Sequence, residues 1–131
     1  MTNVILKDRA PALANYPHAR AVGDLIFVSG VSCRRPDGSH DGVGDIRVQT
    51  RAVIQNIRAI LQSAGADLEN IVDVTVFLVD MGDYGGMNET YNEFFTAVSG
   101  PSRTTVAVHQ LPHPNLLIEI KAIAHNPGHG Q

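Results

Sequence analysis

The sequence predicts a single α/β domain in which two helices cover one face of a β-sheet. Segments rich in β-branched residues alternate along the chain with segments of helical periodicity. Each predicted helix carries one apolar stripe, and two such stripes suffice for only one face of a sheet. The chain has 131 residues and is 44% apolar, enough for one domain with a buried core. We therefore assign residues 1–131 to a single domain.

The N-terminal part of the chain predicts a short edge strand followed by a hairpin. Residues 4–6 form a brief apolar stretch. Residues 18–22 and 25–29 are separated by a Gly-Asp turn signal, and the second of these runs is rich in β-branched and aromatic residues. We expect Gly30 to end that strand.

A long amphipathic helix follows a loop that covers residues 34–44, which are rich in Gly, Pro, Asp and Ser. Asp45 can cap the helix, which extends to about Ser63, and Gly65 lies where a helix end favours a left-handed residue. Its apolar stripe consists of Val53, Ile54, Ile57, Ile60 and Leu61.

The second half of the chain predicts a strand, a second helix and two more strands. Residues 71–79 are β-rich, and the turn after them contains Asp83 as a potential cap. We expect the helix to end at Gly100-Pro101 and a strand to cover residues 104–108. One face of this helix carries Met87, Tyr91, Phe94 and Phe95.

The last predicted strand, residues 116–124, carries apolar side chains on both faces. The two-residue period places Ile118, Ile120 and Ala122 on one side, and Leu117, Glu119, Lys121 and Ile123 on the other. Helices can cover only the first side, so we expect a second copy of the chain to cover the other.

Composition excludes several classes of function. The formal net charge is −3 and the isoelectric point about 6.0, which gives no basic surface for nucleic acid. No stretch is long and apolar enough to span a bilayer, and residues 1–9 lack the apolar core of a signal peptide. A single cysteine, Cys33, excludes an internal disulfide. We therefore expect a cytoplasmic protein. The charged fraction of 18% is low for a small monomer, which suggests that copies of the chain cover part of its surface.

Two charged residues stand out as candidates for chemistry. Glu119 lies within an apolar strand, where a carboxylate is costly unless it is paired. It is either part of a structural ion pair, with Lys121 for example, or a proton-transfer group whose pKa is raised by burial. Arg103 precedes a strand and is either a solvated loop charge or a bidentate clamp for a carboxylate.

Other polar residues give weaker signals. Tyr91 is in register with the apolar stripe, which favours a core position, whereas Asn88 lies one position away and is solvated or capping. His109 and His113 are four residues apart, but neighbouring prolines argue against a helix there, so we predict no metal site. Cys33 has the features of an ordinary semi-buried thiol.

Several segments of the chain form a recognisable series. The last third contains GPSRTTVAV at 100–108, LP at 111–112 and IEIKAIA at 118–124. Upstream, in order, lie FVSG at 27–30, QNI at 55–57, AGA at 64–66, DVTVFLVD at 73–80 and MNETYNEFF at 87–95. On these segments the chain resembles the Rid (YjgF, reactive intermediate deaminase) family over nearly its whole length.

The resemblance implies a chorismate-mutase-like fold with a mixed sheet and two helices on one face. It also implies a homotrimer whose sheets form a central barrel, with active sites in the clefts between subunits. The implied activity is hydrolysis of enamines or imines without a metal or an organic cofactor. Its partners would be a small-molecule substrate and two copies of the same chain, with no nucleic acid or membrane.

The family's site residues can be transferred to matching positions. Arg103 matches the arginine that holds the substrate carboxylate, and Glu119 the glutamate that positions or activates water. Thr105 stands where many members that deaminate have a cysteine. The positions that match pocket-lining residues are Tyr16, Ser29, Gly30 and Asn88.

Two segments, residues 15–20 and 109–119, are similar to bacterial 2-aminomuconate deaminases of tryptophan (kynurenine) and aromatic catabolism. The loop at 111–117 is one residue longer than the common form. The expected reaction is deamination of 2-aminomuconate, a dicarboxylate, with Arg20, His18 or His109 as a second cationic contact. The alternatives are a general 2-imino acid deaminase and a ligand-binding trimer without enzymatic activity.

Overall fold

The computed structural model describes residues 1–128 and consists of one six-stranded sheet with two helices. The strands are β1 (Thr2–Val4), β2 (Ala19–Val22), β3 (Leu25–Val31), β4 (Ile71–Leu78), β5 (Ser102–Ala107) and β6 (Ile118–His125), and the helices are α1 (Ile46–Ser63) and α2 (Tyr84–Tyr91). Their order across the sheet is β1-β2-β3-β6-β4-β5. Only the β4–β5 pair is parallel, so the sheet is mixed as predicted. The last three residues of the predicted domain lie outside the described range.

Helix α1 begins and ends as its sequence predicts. The Asp45 side chain accepts hydrogen bonds from the backbone N–H groups of Arg47 (3.1 Å) and Val48 (3.2 Å). Gly65 follows the helix with φ +81°, the left-handed conformation that a C-terminal glycine supplies. All five residues of the predicted stripe are buried. Among the described residues, no helix is both long and apolar enough to cross a membrane.

The helices cover one face of the sheet and leave the other open. Val74, Val76 and Leu78 of β4 are buried on the helix side. On β6, Ile118 and Ile120 are buried, while Glu119 points to the opposite face and is only half-buried. No element within residues 1–128 packs over this open face. The predicted two-sided character of the last strand is therefore confirmed.

Strand β3 continues through Gly30 instead of ending there. Between Val28 and Val31 the register with β6 shifts, so that Ser29 and Gly30 together face Lys121. This arrangement is a β-bulge, in which two residues of one strand oppose one of its partner. The expectation that Gly30 ends the strand was wrong, because glycine is used here to bend the strand and not to stop it.

Helix α2 is shorter than predicted. It ends at Tyr91. In the turn that follows, the backbone N–H groups of Phe94 and Phe95 both donate hydrogen bonds to the Tyr91 carbonyl. Asp83 occupies the N-cap position without a side-chain bond, whereas Asp80 caps the preceding short 3₁₀ turn. Phe94 and Phe95 still pack against the core, because the turns after the helix direct their side chains there. Their spacing therefore resembled a continued helix.

Candidate active site

Glu119 lies on the open face of the sheet, directly beside the bulge of β3. A Cβ atom added to Gly30 would come within 3.0 Å of the Glu119 carboxyl carbon and 3.1 Å of Oε2. Only glycine therefore admits the carboxylate in this position without a shift. Burial raises the pKa of Glu119 above its ordinary value.

The Glu119 carboxylate has no salt bridge among the described residues. Lys121, the partner considered from the sequence, donates through Nζ to the Val28 carbonyl at 3.0 Å. Within one chain, the structural ion pair is thus not formed. A half-buried, unneutralised carboxylate with a raised pKa is suited to accept and return a proton.

Arg103 lies on β5 and pairs with Val74 of β4, so its side chain points to the helix side of the sheet. Its Nη2 donates to the Tyr84 hydroxyl at 3.3 Å, and its guanidinium carbon lies 4.8 Å from the centre of the Tyr91 ring. The ring face attracts the cation and fixes its direction. No carboxylate within residues 1–128 forms a salt bridge with Arg103, so its charge is available to an anionic ligand.

Two buried polar atoms accompany Arg103 on this side. Thr105 pairs with Val76 and so faces the helices, and its Oγ1 is buried without a hydrogen-bond partner in the described chain. Asn88, on α2, has a buried Oδ1 that also lacks a partner there. Buried polar atoms are rarely left unpaired in native proteins, so both are candidates to contact a ligand or a neighbouring chain. We call Arg103, Thr105 and Asn88 the arginine half-site.

The remaining pocket positions belong to the side of Glu119. Ser29 donates through Oγ to the Pro17 carbonyl at 2.8 Å, which ties the N-terminal segment to the bulge. Tyr16 is partly exposed and lines a cavity together with Ser29 and Gly30. We call Glu119, Gly30, Ser29 and Tyr16 the glutamate half-site.

The two half-sites do not meet within one chain. Arg103 is aligned with Val74 of β4, and Glu119 with Phe77 of the same strand. Residues 74 and 77 differ by an odd number, so their side chains leave β4 on opposite faces. Arg103 therefore points toward the helices and Glu119 toward the open face.

The three residues predicted as a second cationic contact are placed differently from one another. His18 accepts from the Leu6 N–H at Nδ1 (3.1 Å) and lies 2.9 Å from the Ala10 carbonyl at Nε2, which fits a neutral ring with its proton on Nε2. Arg20 lies exposed on the open face, and His109 is exposed after β5. Neither is brought next to Glu119 by a described contact.

The sequence did not indicate the cavity beside the glutamate half-site. Arg9, Arg34 and Arg35 line it, although they lie in segments without periodicity. The Arg9 side chain hydrogen-bonds Asn56 of α1, which lies 47 residues away in sequence. The adjacent arginines in the loop after β3 were the only local signal.

Comparisons with known proteins agree with this fold. Residues 7–126 match the family model described as Endoribonuclease L-PSP. A RutC family protein of Pyrococcus abyssi is 45% identical over 123 residues, covering 93% of this chain and 95% of that protein. The chloroplastic Reactive Intermediate Deaminase A of Arabidopsis thaliana is 37% identical, with 92% of this chain and 64% of that protein covered. The crystal structure of E. coli TdcF with bound serine superposes with a TM-score of 0.86 at 29% identity, covering 96% of this chain and 99% of that chain. The chain belongs to the Rid (YjgF) family.

Proposed function

We propose that this protein is a hydrolytic deaminase of enamines and imines, and that its substrate is 2-aminomuconate. The observation that carries the proposal is the pair of uncompensated charges. Glu119 has a raised pKa and no cationic partner, and Arg103 has no carboxylate partner, within the described chain. Glu119 is therefore free to accept a proton from water, and Arg103 is free to bind the carboxylate of a substrate.

The reaction follows from these two groups. The enamine first tautomerises to the imine, whose C2 is electrophilic. Arg103 binds the carboxylate next to C2, which orients the substrate and withdraws electron density from the reacting carbon. Glu119 accepts a proton as water adds to C2 of the protonated imine, which gives a carbinolamine. Glu119 returns that proton to the amino group, and the carbinol O–H then gives its proton to Glu119 as the C–N bond breaks and the carbonyl forms. The products are the 2-oxo acid, in equilibrium with its hydroxymuconate form, and ammonia.

The site requires two subunits. Arg103 and Glu119 leave opposite faces of one sheet, so one chain cannot present both to the same substrate. A neighbouring copy that covers the open face can bring its arginine half-site to the glutamate half-site. A trimer is typical of the Rid family, and we propose that this chain forms one with its active sites between subunits.

Ammonia release from enzymatically generated 2-aminomuconate tests the activity. We expect Glu119→Gln to remove at least about a hundredfold of the rate, the usual contribution of general acid–base catalysis. Arg103→Ala should lower kcat/KM about ten- to hundredfold, the effect of a lost hydrogen bond to a charged group. Release no faster than the spontaneous rate would refute the proposed substrate.

Mixing two impaired variants tests the placement of the site. When Arg103→Ala and Glu119→Gln subunits are unfolded together and reassembled in equal amounts, some sites receive an intact residue from each. For a cyclic assembly with random assortment, about one quarter of the sites become functional. A site contained in one chain would regain no activity, and that result would refute the shared site.

A general 2-imino acid deaminase is the second candidate. The 37% identity to Reactive Intermediate Deaminase A favours it. Imines generated from neutral amino acids by an amino acid oxidase distinguish the two, since faster ammonia release from them than from 2-aminomuconate would favour the general activity. Carboxylate binding without ammonia release from either substrate would instead support a ligand-binding trimer.

A further inference from the structure

A cavity of about 250 Å³ lies beside Ser29 and Gly30 of the glutamate half-site. The N-terminal segment, the loop after β3 and helix α1 contribute to its lining. Its charged lining residues, among those described, are Arg9, Arg34, Arg35 and Asp41. Three cations and one anion leave a net charge of +2, although no chemistry assigned above uses this charge.

Among the three arginines of this cavity, Arg9 has a buried donor without a partner. Its Nη1 lies 3.4 Å from Asn56 Oδ1, a long hydrogen bond. Its Nε is buried and has no partner among residues 1–128. A guanidinium has five N–H donors in a planar fork, and the edge that includes Nε can bind a carboxylate in bidentate fashion. A buried N–H without a partner is costly, and an anionic ligand would remove that cost.

Each of the other two arginines has a partner within the described chain. Arg35 forms a salt bridge with Asp41, so these two charges compensate each other. Arg34 donates through Nη2 to the Pro11 carbonyl, which holds the N-terminal segment against the cavity. Arg34 thus adds positive charge to the cavity and positions its wall.

We propose that this cavity is a subsite for a second carboxylate, bound by Arg9, so that the substrates are enamines and imines of dicarboxylic acids. This inference rests on the proposed deaminase function and assigns its substrate class. The cavity shares Ser29 and Gly30 with the glutamate half-site, and a Cβ atom added to Gly30 would lie 3.0 Å from the Glu119 carboxyl carbon. A substrate whose reacting carbon lies at Glu119 therefore has a cationic cavity next to it.

Arg9 fits this task better than the residues considered from the sequence. His18 also lines the cavity, but both of its ring nitrogens are engaged by backbone groups of the N-terminal segment. Arg20 and His109 do not line the cavity.

A pair of isosteric substrates isolates the second carboxylate. An amino acid oxidase converts glutamate and glutamine to imines that differ in one group, a carboxylate against a neutral amide. We expect the wild-type protein to have a higher kcat/KM for the glutamate-derived imine. Arg9→Met should lower the ratio of the two kcat/KM values about ten- to hundredfold, and Arg9→Lys should retain part of it.

Arg51→Met is the matched control. Arg51 lies on the exposed side of α1, where it pairs with Glu93 at 2.8 Å, and it does not line the cavity. This variant should keep the wild-type ratio. An unchanged ratio in Arg9→Met, or equal losses on both imines, would overturn the subsite while leaving the deaminase function in place. If Arg9→Met does not fold, Arg34→Gln should lower the same ratio, and an unchanged ratio there would overturn the proposal.

Binding separates failure of the subsite from failure of the function. cis,cis-Muconate and sorbate are six-carbon dienes with two carboxylates and one, and neither is turned over. Titration calorimetry should show tighter binding of muconate, with the difference lost in Arg9→Met. Should no imine be hydrolysed, the proposed function fails, and this measurement still decides the subsite: equal affinities of the wild-type protein for the two ligands would overturn it.

Discussion

Gly30 is the position at which the smallest change in the sequence should disturb the chemistry most directly. In Gly30→Ala, the new Cβ atom lies 3.0 Å from the Glu119 carboxyl carbon, whereas ordinary contacts begin at 3.4 Å. The carboxylate is the end of a flexible side chain, so it can move away by the difference, about 0.4 Å. The backbone need not change, because Gly30 does not have a positive φ.

The effect on the rate follows from that displacement. A misplacement of about 1 Å can cost on the order of a hundredfold in rate. If the logarithm of the rate scales with displacement, a shift of about 0.4 Å lowers kcat about sixfold, or about 1 kcal/mol. The stability should change little, since the lower entropy of the unfolded chain contributes about 0.4–1 kcal/mol and the close contact opposes it.

Ammonia release and thermal unfolding measured on the same sample test this reasoning. Gly85→Ala is the matched control, because Gly85 has ordinary φ and a Cβ there would meet no atom within 4 Å of the described chain. It should keep the wild-type kcat. In a Glu119→Asp background, Gly30→Ala should cost less, since the shorter side chain leaves the contact. The reasoning is refuted if Gly30→Ala has wild-type kcat or if Gly85→Ala loses the same amount.

Three further predictions concern the half-sites and the scaffold. Thr105→Val removes a buried, unpartnered hydroxyl, so the free energy of unfolding should rise by about 1 kcal/mol, while kcat/KM falls about two- to tenfold if Oγ1 contacts substrate. Because the pKa of Glu119 is raised in the folded chain, its ionisation lowers stability as pH rises above the ordinary glutamate pKa, and activity should decline on acidification at a higher pH than an ordinary glutamate would give. Glu119→Gln should therefore raise the melting temperature at pH 7, and this difference should vanish in acid. Asp45→Ala should cost about 1 kcal/mol in urea unfolding without changing kcat, since only the α1 cap is lost.

The sequence predicted best where local chemistry decides the structure. Asp45 and Gly65 delimit α1 because a side-chain cap and a left-handed glycine act within a few residues. The alternation along β6 was predicted for the same reason, since a strand places neighbouring residues on opposite faces. Glu119 was singled out as a carboxylate in an apolar strand and Arg103 as an arginine at the start of a strand, and their roles were implied by the family resemblance.

Features that depend on distant contacts escaped prediction. The bulge at Ser29 and Gly30 is a feature of the pairing between β3 and β6, and no pattern within β3 indicates it. The Arg9 side chain contacts Asn56 of α1, which lies 47 residues further along the chain. Local periodicity carries no information about either.

The separation of Arg103 and Glu119 by the sheet explains why the two charges can both stay uncompensated. If they lay on one face at contact distance, they would form a salt bridge, and neither would be available for a carboxylate or for proton transfer. The sheet holds them apart in each chain, so each subunit folds without neutralising them. The proposed site between subunits would then place a substrate between the two groups, with Arg103 on its carboxylate and Glu119 at the reacting carbon. Association would thus create the active site and also cover the open, half-apolar sheet face, which links stability of the assembly to activity.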